Sequence, residues 1–175
     1  MVVNKVAVDI LEPNGRERFS ACGELVLPGE DGAVFDPSSS MDCDLDLSQG
    51  TPRFYIMRLR DREKQFDRIT YHEKVTQCLA LSSPSTLSGW YLAVAPPTYT
   101  QGDETVVYPD LEKDVVVYRI PHGVIVKLHK GTWHAGPLWD PKEASVAEFM
   151  NLELSDTNVV DHHTHIYGDG GAMVD

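Results

Sequence analysis

The feature that most constrains the fold is a set of seven runs in which apolar and polar side chains alternate with a period of two residues. Val, Ile, Tyr, Phe and Thr dominate these runs, and Gly- and Pro-rich stretches such as EPNG, SQGTP, IPHG and HKG separate them. Alternation and this composition are typical of β-strands. The runs cover residues 3–11, 54–59, 69–81, 90–96, 114–120, 123–129 and 147–154. No segment shows sustained helical periodicity, so the sequence predicts an all-β sandwich or barrel with few short helices.

The domain organisation follows from the length of 175 residues, which is that of one ordinary domain with a real core. We find no repeat and no linker, and we expect residues 1–175 to form a single domain. Residues 28–50 and 97–114 are acidic and poor in strand-forming residues, which predicts two long loops. Residues 166–175 are polar and rich in glycine, which predicts a flexible tail.

Composition excludes several classes of function. A net charge of -12 argues against a nucleic-acid partner, although a few focused cations can still bind a small anionic substrate. No apolar run approaches the roughly 18 to 20 residues of a membrane span, and Asp9 and Glu12 stand where a secretion signal would be apolar. Three widely spaced cysteines fit a reducing compartment, so we expect a cytoplasmic protein without a membrane partner.

The first candidate functional stretch is ITYHEKVTQ. In a strand, alternation places Thr70, His72 and Lys74 on one face, and Gln77 can approach that face if the strand bends. A single histidine in a strand is more often a hydrogen-bonded structural residue than a ligand, so the stretch gains interest only from a second histidine segment.

The second stretch is KLHKGTWHAGP, in which Lys127 and His129 share a strand face, Gly131 permits a tight turn with positive φ, and Trp133 and His134 open the next strand. The alternative is an ordinary hairpin whose tryptophan packs in the core and whose histidines meet solvent.

Taken together, the two stretches resemble the motifs of a cupin barrel, a double-stranded β-helix of the jelly-roll class. In HKGTWH, Gly131 and His134 occupy the glycine and histidine places of the second cupin motif. The first motif is incomplete: its first histidine is replaced by Thr70, and its glutamate by Gln77. The resemblance implies a cupin fold and, because cupins commonly dimerise, a homodimer.

Within the cupins, the sequence resembles the ureidoglycolate lyase (ureidoglycolate hydrolase) family over roughly residues 20–160. The matching segments are His72 to Gln77, WYLAVAPP, Pro109–Leu111, LHKGTWHAGPL and EFMNLE. The chain departs from the family pattern at Lys127-Leu128, where an Asn-Tyr pair is usual, and at Glu153-Leu154, where Asp-Arg is usual.

The resemblance implies a carbon–nitrogen lyase that splits ureidoglycolate into glyoxylate and urea in allantoin and purine nitrogen catabolism. Cleavage needs a group that takes the hydroxyl proton, a donor for the departing nitrogen, and positive charge for the carboxylate. The predicted catalytic residues are His72, His129, His134 and Lys127. The predicted substrate-binding residues are Arg58, Gln77, Trp133 and Glu153. For cofactors, the sequence leaves open a weakly bound divalent ion (Ni, Mn or Zn) on His72, Gln77 and His134, or no metal.

Two other functions stay open at this stage. One is a cupin that acts on another small hydroxy or sugar acid, and the other is a non-catalytic cupin that binds a small molecule. The cluster His162, His163 and His165 is interpreted as a solvated strand end, with a second metal site as the alternative. The run MDCDLDL is interpreted as a charged loop, because it lacks the glycine and final glutamate of a calcium-binding EF-hand.

Overall fold

The computed structural model describes residues 2–36, 38–82, 86–98 and 106–175. Its strands are β1 Val3–Lys5, β2 Val8–Asp9, β3 Gly23–Val26, β4 Pro52–Arg60, β5 Gln65–Phe66, β6 Arg68–Tyr71, β7 Gln77–Leu81, β8 Trp90–Ala95, β9 Val116–Ile120, β10 Ile125–Leu128, β11 Trp133–Leu138, β12 Val146–Leu154, β13 His163–Ile166 and β14 Ala172–Val174. Two short helices, α1 Pro13–Phe19 and α2 Thr157–Val160, and a 3₁₀ turn at Gly168–Gly170 complete the fold.

Eight of these strands, β4 and β6 to β12, form a jelly roll. One sheet has the order β3-β10-β7-β12-β4, and the facing sheet has the order β13-β6-β11-β8-β9-β2. From β4 to β12, the chain passes between the sheets at every step except the β8–β9 hairpin, and the pairings within the eight core strands are antiparallel. This is the connectivity of a double-sheet jelly roll, so the predicted all-β, cupin-like fold class is confirmed.

Two apolar clusters follow from the alternation along the strands. The larger cluster fills the space between the two main sheets and contains Trp90, Leu92, Val126 and Phe149. The second cluster lies on the other side of the six-stranded sheet, where the small sheet β1-β14-β5 covers Tyr71, Trp133 and their neighbours. The six-stranded sheet is therefore apolar on both faces, which decides where each of its side chains points.

The structure corrects the prediction for the stretch EPNG, which we expected to be a turn. Pro13 is the first residue of helix α1, a position that suits proline because its missing N–H needs no partner there. Gly15 lies against β2, where an added Cβ would approach the Asp9 carbonyl oxygen to 2.2 Å. Strands 3–11 and 69–81 are each interrupted, the second by the turn at residues 72–76.

The two loop predictions have different outcomes. Residues 28–50 contain no helix or strand among the residues described, and Asp46 ties the segment to Thr76 and Lys130. Of the loop 97–114, residues 99–105 lie outside the described residues, and the remainder contains no helix or strand. In the described ranges, no helix is long and apolar enough to cross a bilayer.

The predicted flexible tail is instead a paired strand. β14 runs parallel to β1 and antiparallel to β5. Ala172 and Val174 are 1% and 4% exposed, whereas Met173 on the opposite face is 47% exposed. The apolar run of residues 172–174 is too short for the sequence alone to distinguish a strand from a chain end.

We predict that Val174→Asp lowers the free energy of unfolding by about 2 kcal/mol or more, because it places an unpaired carboxylate in the second apolar cluster. Met173→Asp serves as the matched control on the same strand and should change stability by less than about 0.5 kcal/mol. Urea unfolding followed by tryptophan fluorescence measures both variants. Equal and small changes in the free energy of unfolding of the two variants would show that β14 does not pack against the second apolar cluster.

Candidate active site between the two sheets

The site is built on the turn that joins β6 to β7. His72 follows β6 directly and is 5% exposed, and Gln77, which begins β7, is 7% exposed. The Gly131 N–H donates to the carbonyl oxygen of His72 at 2.7 Å. Gly131 has the predicted positive φ of 78°, and the strand after it carries His134 into the same space.

The structure confirms that the two distant histidine segments converge. The ring centroids of His72 and His134 are 5.1 Å apart, and both residues line one small pocket together with Gln77, Leu128 and His129. The pocket is narrow, since its walls leave no room for a water molecule.

Hydrogen bonds fix the state of both imidazoles. His72 Nδ1 lies 2.5 Å from the carbonyl oxygen of Asp161, and His134 Nδ1 lies 3.1 Å from that of Thr132. A carbonyl oxygen only accepts, so each Nδ1 carries the hydrogen and each Nε2 keeps a free lone pair. Burial lowers the pKa of both rings, and the neighbouring His72 ring adds to the effect on His134, whose pKa falls to about 3. Both rings are therefore neutral at pH 7.

Gln77 completes a set of three acceptors. Its Nε2 donates to Asn151 Oδ1 at 3.1 Å and to Glu153 Oε2 at 3.3 Å. Because both partners are oxygens that need a donor, the amide cannot be flipped. Its Oε1 is buried and has no partner among the described residues. Two imidazole nitrogens and one amide oxygen thus present lone pairs without a donor.

Behind Gln77, a buried polar network extends across β12 and β4. Glu153 is 1% exposed and accepts from Asn151, Tyr55 and Asn158 at 3.0, 3.2 and 3.1 Å. Arg53 Nη1 lies 3.6 Å from Glu153 Oε1, and its guanidinium lies 3.7 Å above the centre of the Tyr55 ring. The strand register pairs Arg53 with Glu153. In the family pattern an arginine directly follows the acid, whereas in this chain Leu154 follows Glu153 and the arginine beside the acid comes from the neighbouring strand β4.

Asp161 holds the turn in place. The residue is 1% exposed, and its carboxylate accepts the N–H groups of Glu73 and Lys74 at 2.8 and 2.9 Å. The same residue supplies the carbonyl oxygen for His72. A single residue after α2 therefore fixes both the backbone of the turn and the orientation of the His72 ring.

Three of the predicted site residues point away from this pocket. Lys127 lies on the outer face of its sheet, since Val126 and Leu128 fill the inner face, and its Nζ donates to Glu24 at 2.7 Å. Arg58 is likewise outward and pairs with Glu148 at 2.5 Å, because Met57 and Leu59 point inward. Trp133 lies on the face of β11 opposite His134, within the second apolar cluster, where its Nε1 donates to Thr98. Their predicted positions in the site are wrong.

His129 occupies an intermediate position. The residue forms part of the pocket wall, but its Nδ1 faces Lys127 Nζ at 3.2 Å and Glu24 Oε1 at 3.8 Å. Burial and the charge of Lys127 lower its pKa. His129 therefore belongs to a polar group at the edge of the pocket and does not face the two inner imidazoles.

The C-terminal histidines separate between the two sides of the six-stranded sheet. His162 lies 5.5 Å from the His72 ring, while His163 stacks on Tyr71 at 4.8 Å and His165 on Tyr108 at 4.2 Å. Within the described part of the chain, no three His, Cys, Asp or Glu side chains are placed to hold a metal ion together. A divalent ion here would depend on Gln77.

The sequence analysis missed Asp161, Asn151, Tyr55 and Arg53. The sequence could have indicated Asn151, because it follows Ala147 and Phe149 at alternate positions on the inward face of β12, where a polar side chain is unusual. No sequence pattern indicated Arg53 or Tyr55, since their contacts follow from the pairing of β4 with β12.

Comparisons with known proteins give limited information. No protein-family model and no curated protein matches the sequence. Among solved structures, the chain is similar to vicilin from hazelnut (Corylus avellana), with a TM-score of 0.37 and 10% identity. The match covers 68% of this chain and 32% of vicilin. The cupin-like fold therefore rests on the strand order given above, and the ureidoglycolate lyase family rests on its motifs alone.

We predict that Asp161→Ala lowers the free energy of unfolding by about 2 to 4 kcal/mol, because two backbone N–H groups lose a charged acceptor. Asp156→Ala is the control: this exposed carboxylate precedes α2 and makes no capping hydrogen bond. Chemical denaturation measures both variants. A loss at Asp161 no larger than at Asp156 would contradict the role of Asp161.

A second prediction concerns pH. The pKa of His134 is about 3 in the folded protein and 6.5 in an ordinary chain, so the unfolded state takes up the proton first as the pH falls. Stability should therefore decrease from pH 6.5 towards pH 3, with the histidine's contribution complete above 6.5. His134→Gln removes this component and should flatten the curve when both proteins are unfolded in urea with a chelator present. Identical curves would show that the imidazole is not buried in its neutral form.

Proposed function

We propose that this protein is a cupin-type enzyme that acts on a small anionic hydroxy acid at His72, Gln77 and His134. The observation that supports the proposal most directly is that His72, Gln77 and His134 line one pocket, in which Gln77 Oε1 is buried and receives no donor from the described residues. A structural histidine pair would normally satisfy its lone pairs inside the protein.

The donor set fits a divalent cation. Both histidines are neutral and donate their other ring nitrogen to a backbone carbonyl, which is the usual support of a metal-ligating histidine. A divalent ion held by His72, Gln77 and His134 would supply positive charge to the carboxylate and hydroxyl of the substrate. Three neutral ligands bind such an ion weakly, so we expect exchangeable binding.

The reaction to be tested is the cleavage of ureidoglycolate to glyoxylate and urea. The hydroxyl loses its proton, the C–N bond breaks with its electron pair passing to nitrogen, and the nitrogen takes up a proton. His72 and His134 would give their Nε2 lone pairs to the ion, so we assign this proton transfer to His129, which forms part of the pocket wall. His134 has a pKa of about 3, so it serves as a ligand and not as the base.

A specific observation favours a second candidate, a cupin that binds a small molecule without turnover. The pocket has no room for a water molecule, so a substrate would reach the two inner imidazoles only if side chains of its wall, such as Leu128 and His129, moved. Lys127 and Arg58, the cations proposed as carboxylate clamps, are on the outer face. A binding protein would need no proton carrier and could use the same acceptors.

We predict that the untagged protein releases glyoxylate from racemic ureidoglycolate faster than the spontaneous reaction when Ni, Mn or Zn is added. His72→Ala should lower the rate by at least about a hundredfold, since it removes one of the three ligands of the ion. Gln77→Ala should weaken the dependence on metal. Arg58→Ala, on the outer face, should keep full activity and serves as the matched control.

The second candidate predicts a different pattern. Added metal would raise the melting temperature of the wild type but not of His72→Ala, and no glyoxylate would form with any metal. Absence of both turnover and a metal-dependent shift would contradict the proposed function.

A further inference from the structure

A second cavity lies outside the histidine pocket, where β8 ends and β9 begins, under helix α1. Its volume is about 440 Å³, within the usual range of small-molecule sites of about 300 to 1,000 Å³. We call it the α1 cleft. Val94, Pro96, Pro109 and Val116 form its apolar wall. The proposed hydroxy-acid reaction uses none of these side chains.

The polar group at its floor is the hydroxyl of Tyr118. The residue is 1% exposed, and its side chain lines the cleft. The ring is held edge-on against Phe19, with centroids 5.3 Å apart. Burial raises the pKa of Tyr118 to about 12, so the hydroxyl keeps its proton and is available as a donor.

The charged groups at the rim leave one cation unpaired. Lys113 pairs with Asp110 at 3.0 Å, and Asp114 accepts the Asp110 N–H at 2.7 Å. Arg18, on α1, makes no ion pair with any residue that the structure describes. Its charge acts on the Tyr118 hydroxyl and lowers that group's pKa against the larger effect of burial. The exposed guanidinium of Arg18 and the hydroxyl of Tyr118 therefore line the same apolar cleft.

We propose that the α1 cleft binds a small monocarboxylic acid with an apolar body. The carboxylate accepts from Arg18 and Tyr118, because a guanidinium presents donors that match the two oxygens of a carboxylate. The apolar body lies against Val94 and Val116, and burial of its surface drives binding. The rim carboxylate of Asp114 disfavours ligands that carry a second negative charge.

The cleft is independent of the histidine pocket, although the two are neighbours. Val94 on β8 lines the cleft and pairs with His134 on β11. The two spaces therefore lie side by side on neighbouring strands. Neither His72 nor His134 lines the cleft. Occupancy of the cleft therefore does not require a metal or a working catalytic site.

The experiment uses 3-phenylpropionate as the ligand and its neutral amide as the matched comparison. Isothermal titration should show saturable binding of the acid by the full chain, with an affinity at least about tenfold above that of the amide. In a protein with labelled valine and leucine methyls, Val94 and Val116 should shift on titration, while Leu59, at the end of β4, should not.

Three variants locate the contacts. Arg18→Gln should weaken the acid by about tenfold or more and leave the amide unchanged, since it removes a charged donor. Arg16→Gln, an exposed arginine on the same helix, should bind like the wild type. Tyr118→Phe keeps the ring and removes only the hydroxyl, so it should weaken the acid with little effect on folding.

The outcome separates this proposal from the proposed function. His134→Ala should bind the acid as the wild type does, even if it abolishes turnover. Equal affinities for acid and amide, unchanged binding by Arg18→Gln, or no saturation up to about 10 mM would each overturn the proposal. Circular dichroism confirms that each variant is folded before its affinity is interpreted.

Discussion

The arrangement of the site depends on the contacts of Asp161 with the turn between β6 and β7. The carboxylate binds two consecutive N–H groups of the turn, and the carbonyl binds the imidazole of His72. These contacts connect the segment after β12 to the opposite sheet. Without them two partly buried N–H groups of the turn would lack an acceptor, and His72 Nδ1 would lose its hydrogen-bond partner. The tautomer that leaves Nε2 unprotonated is therefore set by a residue distant in sequence from both histidine segments.

A second constraint is the alternation of side chains in strands whose two faces are both covered. On β11, His134 and Trp133 are adjacent in sequence but lie on opposite faces, one in the pocket and one in the second apolar cluster. On β10, Leu128 faces the pocket and Lys127 does not. Proximity in a motif is therefore a poor guide to a shared site, because one residue along a strand reverses direction.

Much of the fold was predictable from the sequence, since six of the seven alternating runs contain β4, β6 to β10 and β12, which are seven of the eight strands of the jelly roll. The convergence of His72 and His134 was predictable only through the resemblance of the two stretches to the cupin motifs. Helix α1 was not, because seven residues give too little periodicity and its proline was interpreted as part of a turn. The contacts of Arg53, Tyr55 and Asp161 were not predictable either, because they depend on strand register and on the path of the chain after β12.

The most direct test of this account is the tautomeric state of the two inner histidines, measured by ¹⁵N–¹H correlation spectra of the imidazole rings near pH 7 without metal. We predict that both rings are neutral, with hydrogen on Nδ1 and a free lone pair on Nε2. On addition of Ni, Mn or Zn, the Nε2 signals of both rings should shift or broaden together. Rings that are protonated on Nε2, or that carry both hydrogens, would contradict the account, since the pocket would then have no acceptors to offer.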